Sequence, residues 1–469
     1  MFLVSYFYAA LATTLNIVLY TLTLGRYIRL EGRVRRNRFH NWNRQFRFRA
    51  RDFTQPRTEG EIVALVRSSK RLRVFGAGHS FNAGVVTDET LVSLDRYKGI
   101  LWKDVEKKQM AFRGGTRIRD INRALLKEGW AFAALPTHDA QSIGGIISTD
   151  VHGTGRDWGF VSQAVVRLKL VDGMGEIIEC EPADDLFKAA IGGIGAVGII
   201  VEAVIQAVDA FNINQKSEIV DREHVEANLD QLIEENDHLS LYIFAFTNKC
   251  QVNFWNRTSQ KQSFLGPLRE FVHHSIVALV SVWLADFLAH VRLLPTVSDF
   301  FLNLVQGSDL VLDSSEAFNR TIYYVHHELE FAIPYEETFT ILRRFAALYE
   351  ELYAEGMPFV AIELRFTPAG HDRTLLGGGR GRRSTWIDLL CNDSAGHERF
   401  LEAAEILMKE IGARPHLGKY CQSIDRSYLE QVHGDYFSRF GKLVQKHDPE
   451  GKFVNAFTQR LFEPRQAQS

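Results

Sequence analysis

Gly76 and Gly78, then Gly144, Gly145, Gly153 and Gly155, then Gly192 to Gly198 make three glycine-rich segments within residues 73–200, each beside an apolar run. Glycines that follow a strand let backbone N–H groups converge on an anion, as in a pyrophosphate cradle. The first segment, residues 73–82, also carries His79 and Ser80. The second, residues 136–155, sets Ser142, Ser148 and Thr149 among its glycines, and their hydroxyls can donate to phosphate oxygens. Each segment alone reads as an ordinary turn, because the third glycine of a dinucleotide fingerprint and the lysine of a P-loop are both missing. Together they predict a large phosphate-bearing ligand lying across one domain.

Farther along, Glu363 and Arg365 stand two apart in the apolar run 359–366. Residues i and i+2 of a strand share a face, so a carboxylate and a guanidinium project together. That is the pattern of a common surface ion pair, and also of a general base beside a charge-stabilising cation. The four cysteines, Cys180, Cys250, Cys391 and Cys421, lie far apart. Their spacing gives neither a zinc-ligand set nor a disulfide framework, so four buried free thiols, a reducing compartment and no metal centre are expected.

These side chains need elements to position them. Ile62, Val63, Leu65 and Val66 follow a helical pattern, residues 72–75 read as a strand entering Gly76, and another strand follows at 90–94. Thr116 is placed to cap a helix carrying Ile118, Ile121 and Leu125, with Gly129 at its far end. Strands at 165–171 and 176–179 flank the turn Asp172-Gly173, and 199–205 is a β-branched strand. After about residue 209 the texture changes to strands at 322–331, 359–366 and 386–390 among helical patterns at 335–352 and 397–411, which sets a domain boundary near 210.

The chain of 469 residues is long enough for two or three domains. Its 46% apolar and 24% charged residues describe a globular protein. The net charge of −2 excludes a chain-wide electrostatic nucleic-acid binder, but it hides an asymmetry. Residues 1–25 are uncharged, residues 26–51 hold ten arginines against Glu31, and the remainder is acidic. As a helix, 1–25 could span a hydrocarbon core of roughly 30 Å. The arginines that follow place the rest of the chain on the cytoplasmic side. A membrane anchor at 1–25 and a basic juxtamembrane linker at 26–40 are expected. A second apolar stretch, 271–305, is too short in its uncharged part to span, so residues 275–291 are open to two readings, a buried core helix or an interfacial one.

The order of these segments resembles the FAD-binding domain of the vanillyl-alcohol-oxidase flavoprotein superfamily, and within it the sugar-1,4-lactone oxidases of the gulonolactone and arabinonolactone type. Asn41-Trp42, then Pro56-Arg57-Thr58 and Glu61, are similar to the start of that domain. His327-Glu328-Leu329-Glu330-Phe331-Ala332-Ile333-Pro334 and Glu363-Leu364-Arg365-Phe366-Thr367 are similar to its later motifs. So are Arg414-Pro415-His416-Leu417-Gly418-Lys419, with Leu417 where tryptophan is usual, and the closing 448–455. The likeness covers residues 41–463. Asp150 departs from it, standing where the family has glycine. The sequence Asp150-Val151-His152-Gly153 is closer to the decaprenylphosphoryl-ribose oxidases, which lack the linking histidine and the Glu-x-Arg motif.

The resemblance implies an α+β fold: a PCMH-type FAD-binding domain of two α+β subdomains at 41–210, and a substrate (cap) domain at 211–469 built on a large antiparallel sheet with flanking helices. The segment from about 430 to 469 would return to the FAD domain. It implies FAD joined covalently to His79 and held by Phe75, Gly76, Ala77, Gly78, Ser80, Pro136, Thr137, Ser142, Gly144, Gly145, Ser148, Thr149, His152, Gly153, Gly198, Ile199 and Ile200. Glu363 would take or hydrogen-bond the substrate hydroxyl, while Arg365 and Lys419 would stabilise developing negative charge. Without the resemblance, Lys419 reads as a surface lysine, and Asp388 as a solvated strand-end aspartate with a substrate contact as its alternative. Pro136 matches a position where Gly or Pro goes with oxygen as acceptor. The implied reaction is oxidation of a CH–OH group of a sugar-1,4-lactone to an ascorbate-like product and hydrogen peroxide. The alternatives are an alditol oxidase, a lactone dehydrogenase passing electrons to a quinone or cytochrome, and a decaprenylphosphoryl-ribose-oxidase-like enzyme. The partners implied are the lactone or polyol, oxygen, and lipid through the N-terminal segment.

Overall fold

The computed structural model describes residues 32–35, 37–273, 278–305, 309–319 and 326–463. The segment 1–25 and residues 26–31 of the basic linker lie outside the described residues, as do 322–325 of the strand expected at 322–331.

Thr58 starts the helix Glu59–Ser68 by accepting from Glu61 N at 3.1 Å. Glu61 in return accepts from Arg57 N at 2.7 Å, so two orphan N–H groups are satisfied reciprocally. Ile62 and Val66 are buried against a small parallel sheet in which Thr90–Ser93 lies between Asp52–Thr54 and Leu72–Phe75. A second sheet has five antiparallel strands in the order Ile177–Cys180, Val165–Val171, Ile199–Gln206, Gln109–Arg113, Ile100–Asp104. Helix Ile118–Lys127 buries Ile118, Ile121 and Leu125, the expected face. Its cap differs from expectation: Arg117 occupies the N-cap position. Thr116 turns its hydroxyl to Arg113 O at 2.6 Å and accepts from Gly99 N at 2.9 Å, satisfying a tight turn instead of the helix. Gly129 closes the element at φ +74.

The second half is built on an eight-stranded antiparallel sheet. Its order is Leu310–Asp313, Asn212–Asp221, Lys249–Thr258, His238–Phe244, Val360–Thr367, Ser384–Asn392, His326–Pro334, Arg414–Pro415. Helices Arg222–Glu234, Thr338–Tyr353 and His397–Glu410 contribute buried apolar faces (Val225 and Leu229; Ile341, Leu342 and Phe345; Phe400, Leu401 and Met408) to the main core. The fold is thus mixed α and β with a large antiparallel sheet. Near the C-terminus the chain crosses back: Lys452 O accepts from Leu72 N at 2.8 Å, and Asn455 Nδ2 donates to Ala83 O at 2.9 Å.

The apolar stretch after residue 265 forms helices Gly266–Val272, Ala278–His290 and Leu294–Val305. Ala285, Ala289 and Leu302 are buried, while Phe264, Leu268, Leu284 and Phe300 are exposed, so this region is half core and half surface. No helix among the described residues is long and apolar enough to cross a membrane. All four cysteines are buried and free.

Candidate active site

A cleft of about 1750 Å³, open mouth included, is lined from the small parallel sheet, the five-stranded sheet and the eight-stranded sheet. Its first wall is the turn after strand Leu72–Phe75, with Phe75, Gly76, Ala77, Gly78, His79 and Ser80 all facing the cleft. Gly78 has φ +72, and a Cβ at Gly76 would collide with Ser142 Oγ. The carbonyls of Ala77, Gly78 and Ser80 are taken up behind the turn by Gly32 N, Trp42 N and Asn41 Nδ2 at 2.7, 2.8 and 3.1 Å. The turn therefore offers its other edge to the cleft. Beneath it, buried Arg73 donates to the carbonyls of Gly84 and Ile194, and burial lowers its pKa to about 10. The His79 ring stacks on Trp42, with centroids 5.3 Å apart, and lies 5.2 Å from His138. Burial, then His79, holds His138 well below the usual imidazole range.

The second wall is the short helix Ile143–Ser148, which Ser142 caps by accepting from Gly145 N at 3.3 Å. Ser142, Gly144, Gly145, Ser148 and Thr149 line the cleft, with Pro136 and Thr137 before them and Gly198, Ile199 and Ile200 opposite. Gly144 N donates to Gly114 O at 2.9 Å, a crossing that leaves little room for side chains. Gly153 does not face the cleft. Its N–H bonds Gly159 O at 2.7 Å and a Cβ there would press on Leu135 O, so a close backbone crossing explains that glycine. Asp150 is also off the cleft, at φ +51, with its carboxylate turned away to Ser162 and His371.

The floor comes from the large sheet. Strand register sets Tyr242, Glu363, Asp388 and Glu330 in one row across four strands. Glu363 and Arg365 share a face that lines the cleft instead of the outer surface, Glu363 buried and Arg365 partly so, with Arg365 Nη2 2.7 Å from Glu363 Oε2. The same nitrogen is 2.9 Å from Asp388 Oδ2, and Nη1 is 3.5 Å from Glu330 Oε1. Lys419 reaches into the row from the turn after Arg414–Pro415. It bonds Glu328 and lies 3.4 Å from Asp388 and 3.6 Å from Glu330. Asp388, read from sequence as a solvated strand-end residue, is wholly buried in mid-strand. His152 lies 3.2 Å from Glu330 and stacks on Trp386 at 3.9 Å.

Four carboxylates thus surround two cations at the floor of the cleft, and the pKa values of Glu328, Glu330 and Asp388 do not shift in one direction. Burial opposes charge on Lys419, but Asp388, Glu328 and Glu330 outweigh it and hold the ammonium above its ordinary pKa. Burial likewise opposes Arg365, and Glu363, Glu330 and Asp388 outweigh it. Glu328 and Glu330 are held below the carboxylate range, since Lys419, with His326 for the first and His152 and Arg365 for the second, overcomes desolvation. Asp388 goes the other way. Burial, then the charges of Glu328 and Glu330, raises it well above the usual range. His416, behind the row, is drawn down to about 4 by burial. A site of this kind can take a proton at one carboxylate, hold another at Asp388, and stabilise an anion beside Arg365 and Lys419.

Glu328, Glu330 and His416 are not expected from the sequence as site residues, and Asp388 is so only as its second reading. For the two glutamates a signal existed, since they stand two apart in one strand, the same spacing as Glu363 and Arg365.

A family model described as "D-arabinono-1,4-lactone oxidase" matches residues 203–461, and one described as "FAD binding domain" matches residues 51–181. The chain carries an FAD-binding domain, and the glycine-lined, hydroxyl-bearing cleft suits that cofactor. The L-gulonolactone oxidase of Mus musculus is 26% identical over 440 residues, covering 90% of this chain and 98% of that protein. The L-gulono-1,4-lactone dehydrogenase of Mycobacterium tuberculosis is 23% identical over 419 residues, covering 87% and 95%. Among solved structures, a cholesterol oxidase from B. sterolicum superposes with a TM-score of 0.78 at 16% identity, covering 92% of this chain and 97% of that one, a likeness of fold.

Proposed function

The chain belongs to the D-arabinono-1,4-lactone oxidase family, and from that premise we propose that it oxidises a CH–OH group of a sugar-1,4-lactone with FAD. The observation that carries the reading is the row of Glu363, Asp388 and Glu330 with Arg365 and Lys419 at the floor of the glycine-lined cleft. Bound FAD supplies the two-electron acceptor. Glu363 accepts the proton of the substrate hydroxyl as its C–H bond breaks. Arg365 and Lys419 stabilise the negative charge that gathers on the oxygens around them. The raised pKa of Asp388 favours a proton on that carboxyl, and in that form it leaves the field of the two cations uncancelled. The oxidised lactone tautomerises to an ascorbate-like enediol.

Oxygen as the terminal acceptor, reduced to hydrogen peroxide, is supported by Pro136 on the cleft wall and by relatives that are oxidases. A covalent link through His79 is supported by its place in the turn that borders the cleft. Lipid contact through 1–25, with the catalytic body on the cytoplasmic side, is supported by the uncharged run and the arginines after it.

The test is anaerobic flavin bleaching with a panel of aldonolactones and alditols, followed by air. Bleaching by lactones, and recovery of colour in air within the turnover time, is the expected result. Bleaching by open-chain alditols alone overturns the lactone reading. Bleaching by lactones with no recovery in air, but recovery with a quinone, overturns the oxidase reading and leaves a dehydrogenase.

A further inference from the structure

Residues 377–383 read Gly-Gly-Gly-Arg-Gly-Arg-Arg, a glycine- and arginine-rich turn that the catalytic row does not use. A Cβ at Gly378 would collide with Trp386 and Ala332, so the turn is held close against strands Ser384–Asn392 and His326–Pro334. Arg383 leaves the turn to pair with Asp230 at 2.9 Å. Arg380 and Arg382 instead meet Arg414 and His433. Arg414 Nη1 donates to Arg380 O at 2.8 Å, and its Nε donates to Val432 O at 3.2 Å, beside His433. Arg414 stands across the sheet from Ala332, and Arg382 Nη2 donates to Ala332 O at 2.9 Å. The Arg380 guanidinium lies 3.4 Å over the ring of Tyr436, on the helix that follows His433.

Three guanidiniums and an imidazole are thus gathered at one place, and among the described residues none of the three arginines forms an ion pair with a carboxylate. Glu337 and Glu336 act on Arg382 only through space. Arg380 Nε, Arg382 Nε and both ring nitrogens of His433 are buried with no hydrogen-bond partner in the protein. Nearly all buried polar atoms in folded proteins are matched, so four unmatched nitrogens in one cluster point to a ligand that accepts from them. Crowding of like charge is visible in the titration of the group. Burial, then Arg382 and Arg380, lowers Arg414 to about 10. Burial, then Arg414, Arg380 and Arg382, draws His433 well below the usual imidazole range, which favours a neutral ring with one N–H to donate. Arg382 and Arg414 are only partly buried, so the cluster is reached from solvent.

We propose that Arg380, Arg382, Arg414 and His433 bind one phosphate group, as inorganic phosphate or as the end of a phosphomonoester. Guanidinium forks match phosphate oxygens, and donors arriving from a turn, a strand and a helix end suit a tetrahedral oxyanion better than a planar carboxylate. None of the four residues lines the cleft, so this phosphate is distinct from those of FAD.

Calorimetric titration of the FAD-loaded protein at low ionic strength tests it, with inorganic phosphate, glucose 6-phosphate and acetate as probes. One phosphate group per chain is expected, with acetate bound far more weakly. Affinity should fall about 10–100-fold in Arg380→Gln and in Arg382→Gln, each with an unchanged flavin spectrum, and stay within about twofold in Arg383→Gln, whose side chain is already paired. Phosphate should also raise the melting temperature of the wild type and of Arg383→Gln, and of neither other variant. Binding of inorganic phosphate alone supports the site with a free anion, and binding of glucose 6-phosphate supports it with an ester. No phosphate binding by the wild type, acetate bound as tightly as phosphate, or an equal loss in Arg383→Gln overturns the proposal. Displacement of the phosphate by an aldonolactone would place it in the cleft and also overturn it.

Discussion

Asp388 stands directly across the sheet from Glu363, and the two carboxyls share one nitrogen of Arg365, at 2.9 and 2.7 Å. Two ionised carboxyls directly opposite would repel. Burial, then the charges of Glu328 and Glu330, raises the Asp388 pKa above the carboxylate range, so of the two it more readily keeps a proton. The division of roles this predicts is a proton acceptor at Glu363 and a neutral spacer at Asp388. Asp388→Asn keeps the neutral form and should change kcat less than about tenfold, whereas Glu363→Gln removes the base and should cost about 10²–10⁴-fold. Steady-state turnover with the best lactone checks this, and equal losses in the two variants would refute the division of roles.

The same assignment predicts a pH-dependent stability. A carboxyl whose folded pKa is raised favours the native state fully below its unfolded value, about 3.9, and that advantage is lost as pH rises toward the folded value. Asparagine does not titrate. The melting temperature of Asp388→Asn relative to wild type should therefore climb between pH 5 and 8, and a constant gap across that range would show that Asp388 is ionised throughout.

Arg365 touches Glu363, Glu330 and Asp388, so its loss acts on charge in the site and on the acids around it. Arg365→Ala should leave FAD bound and slow flavin reduction by about 10²–10³-fold. Lysine restores charge without the planar fork and should recover only part of the rate. Anaerobic stopped-flow reduction measures both, and an unaltered rate in Arg365→Ala would take Arg365 out of the chemistry.

The glycine-rich segments and the Glu363–Arg365 pair are readable in the sequence because their meaning is local: a glycine beside a strand, or two residues sharing a face. The helix faces Ile62/Val66 and Ile118/Ile121/Leu125 are readable for the same reason. Asp388 is not, since its environment depends on the register of its strand against two others whose segments begin decades of residues away. Gly153 is misread because composition cannot separate a glycine that meets a ligand from one that meets Leu135 O. Thr116 is misread because a hydroxyl before a helix can serve a turn as readily as a cap.

His79 borders the cleft with its ring against Trp42, which fixes the imidazole plane. A covalent histidyl link should keep acid-precipitated wild-type protein yellow, and His79→Ala should release its flavin to the supernatant. Colourless wild-type pellets would remove the link while leaving FAD binding intact.

Asp150 holds a conformation that favours glycine, φ +51, and tolerates it because its carboxylate is held twice. Ser162 Oγ donates at 2.8 Å and His371 Nε2 lies at 3.1 Å, with His371 stacked on Phe160 at 3.7 Å. Burial opposes the charge, but His371 and Ser162 overcome it and the pKa falls below its ordinary value. A depressed carboxyl contributes stability that is present above about pH 3.9 and is lost as pH falls through its folded value. Asn keeps an acceptor and tolerates positive φ, whereas Ala leaves the Ser162 hydroxyl and His371 without that partner and adds backbone strain. Asp150→Ala should therefore lose about 1–3 kcal/mol, Asp150→Asn clearly less, with both gaps steady from pH 8 to about pH 4 and narrowing only below it. Thermal melts from pH 8 down to about pH 3 decide it; an Ala variant as stable as wild type at pH 7 would mean that these bonds only compensate for the strained backbone.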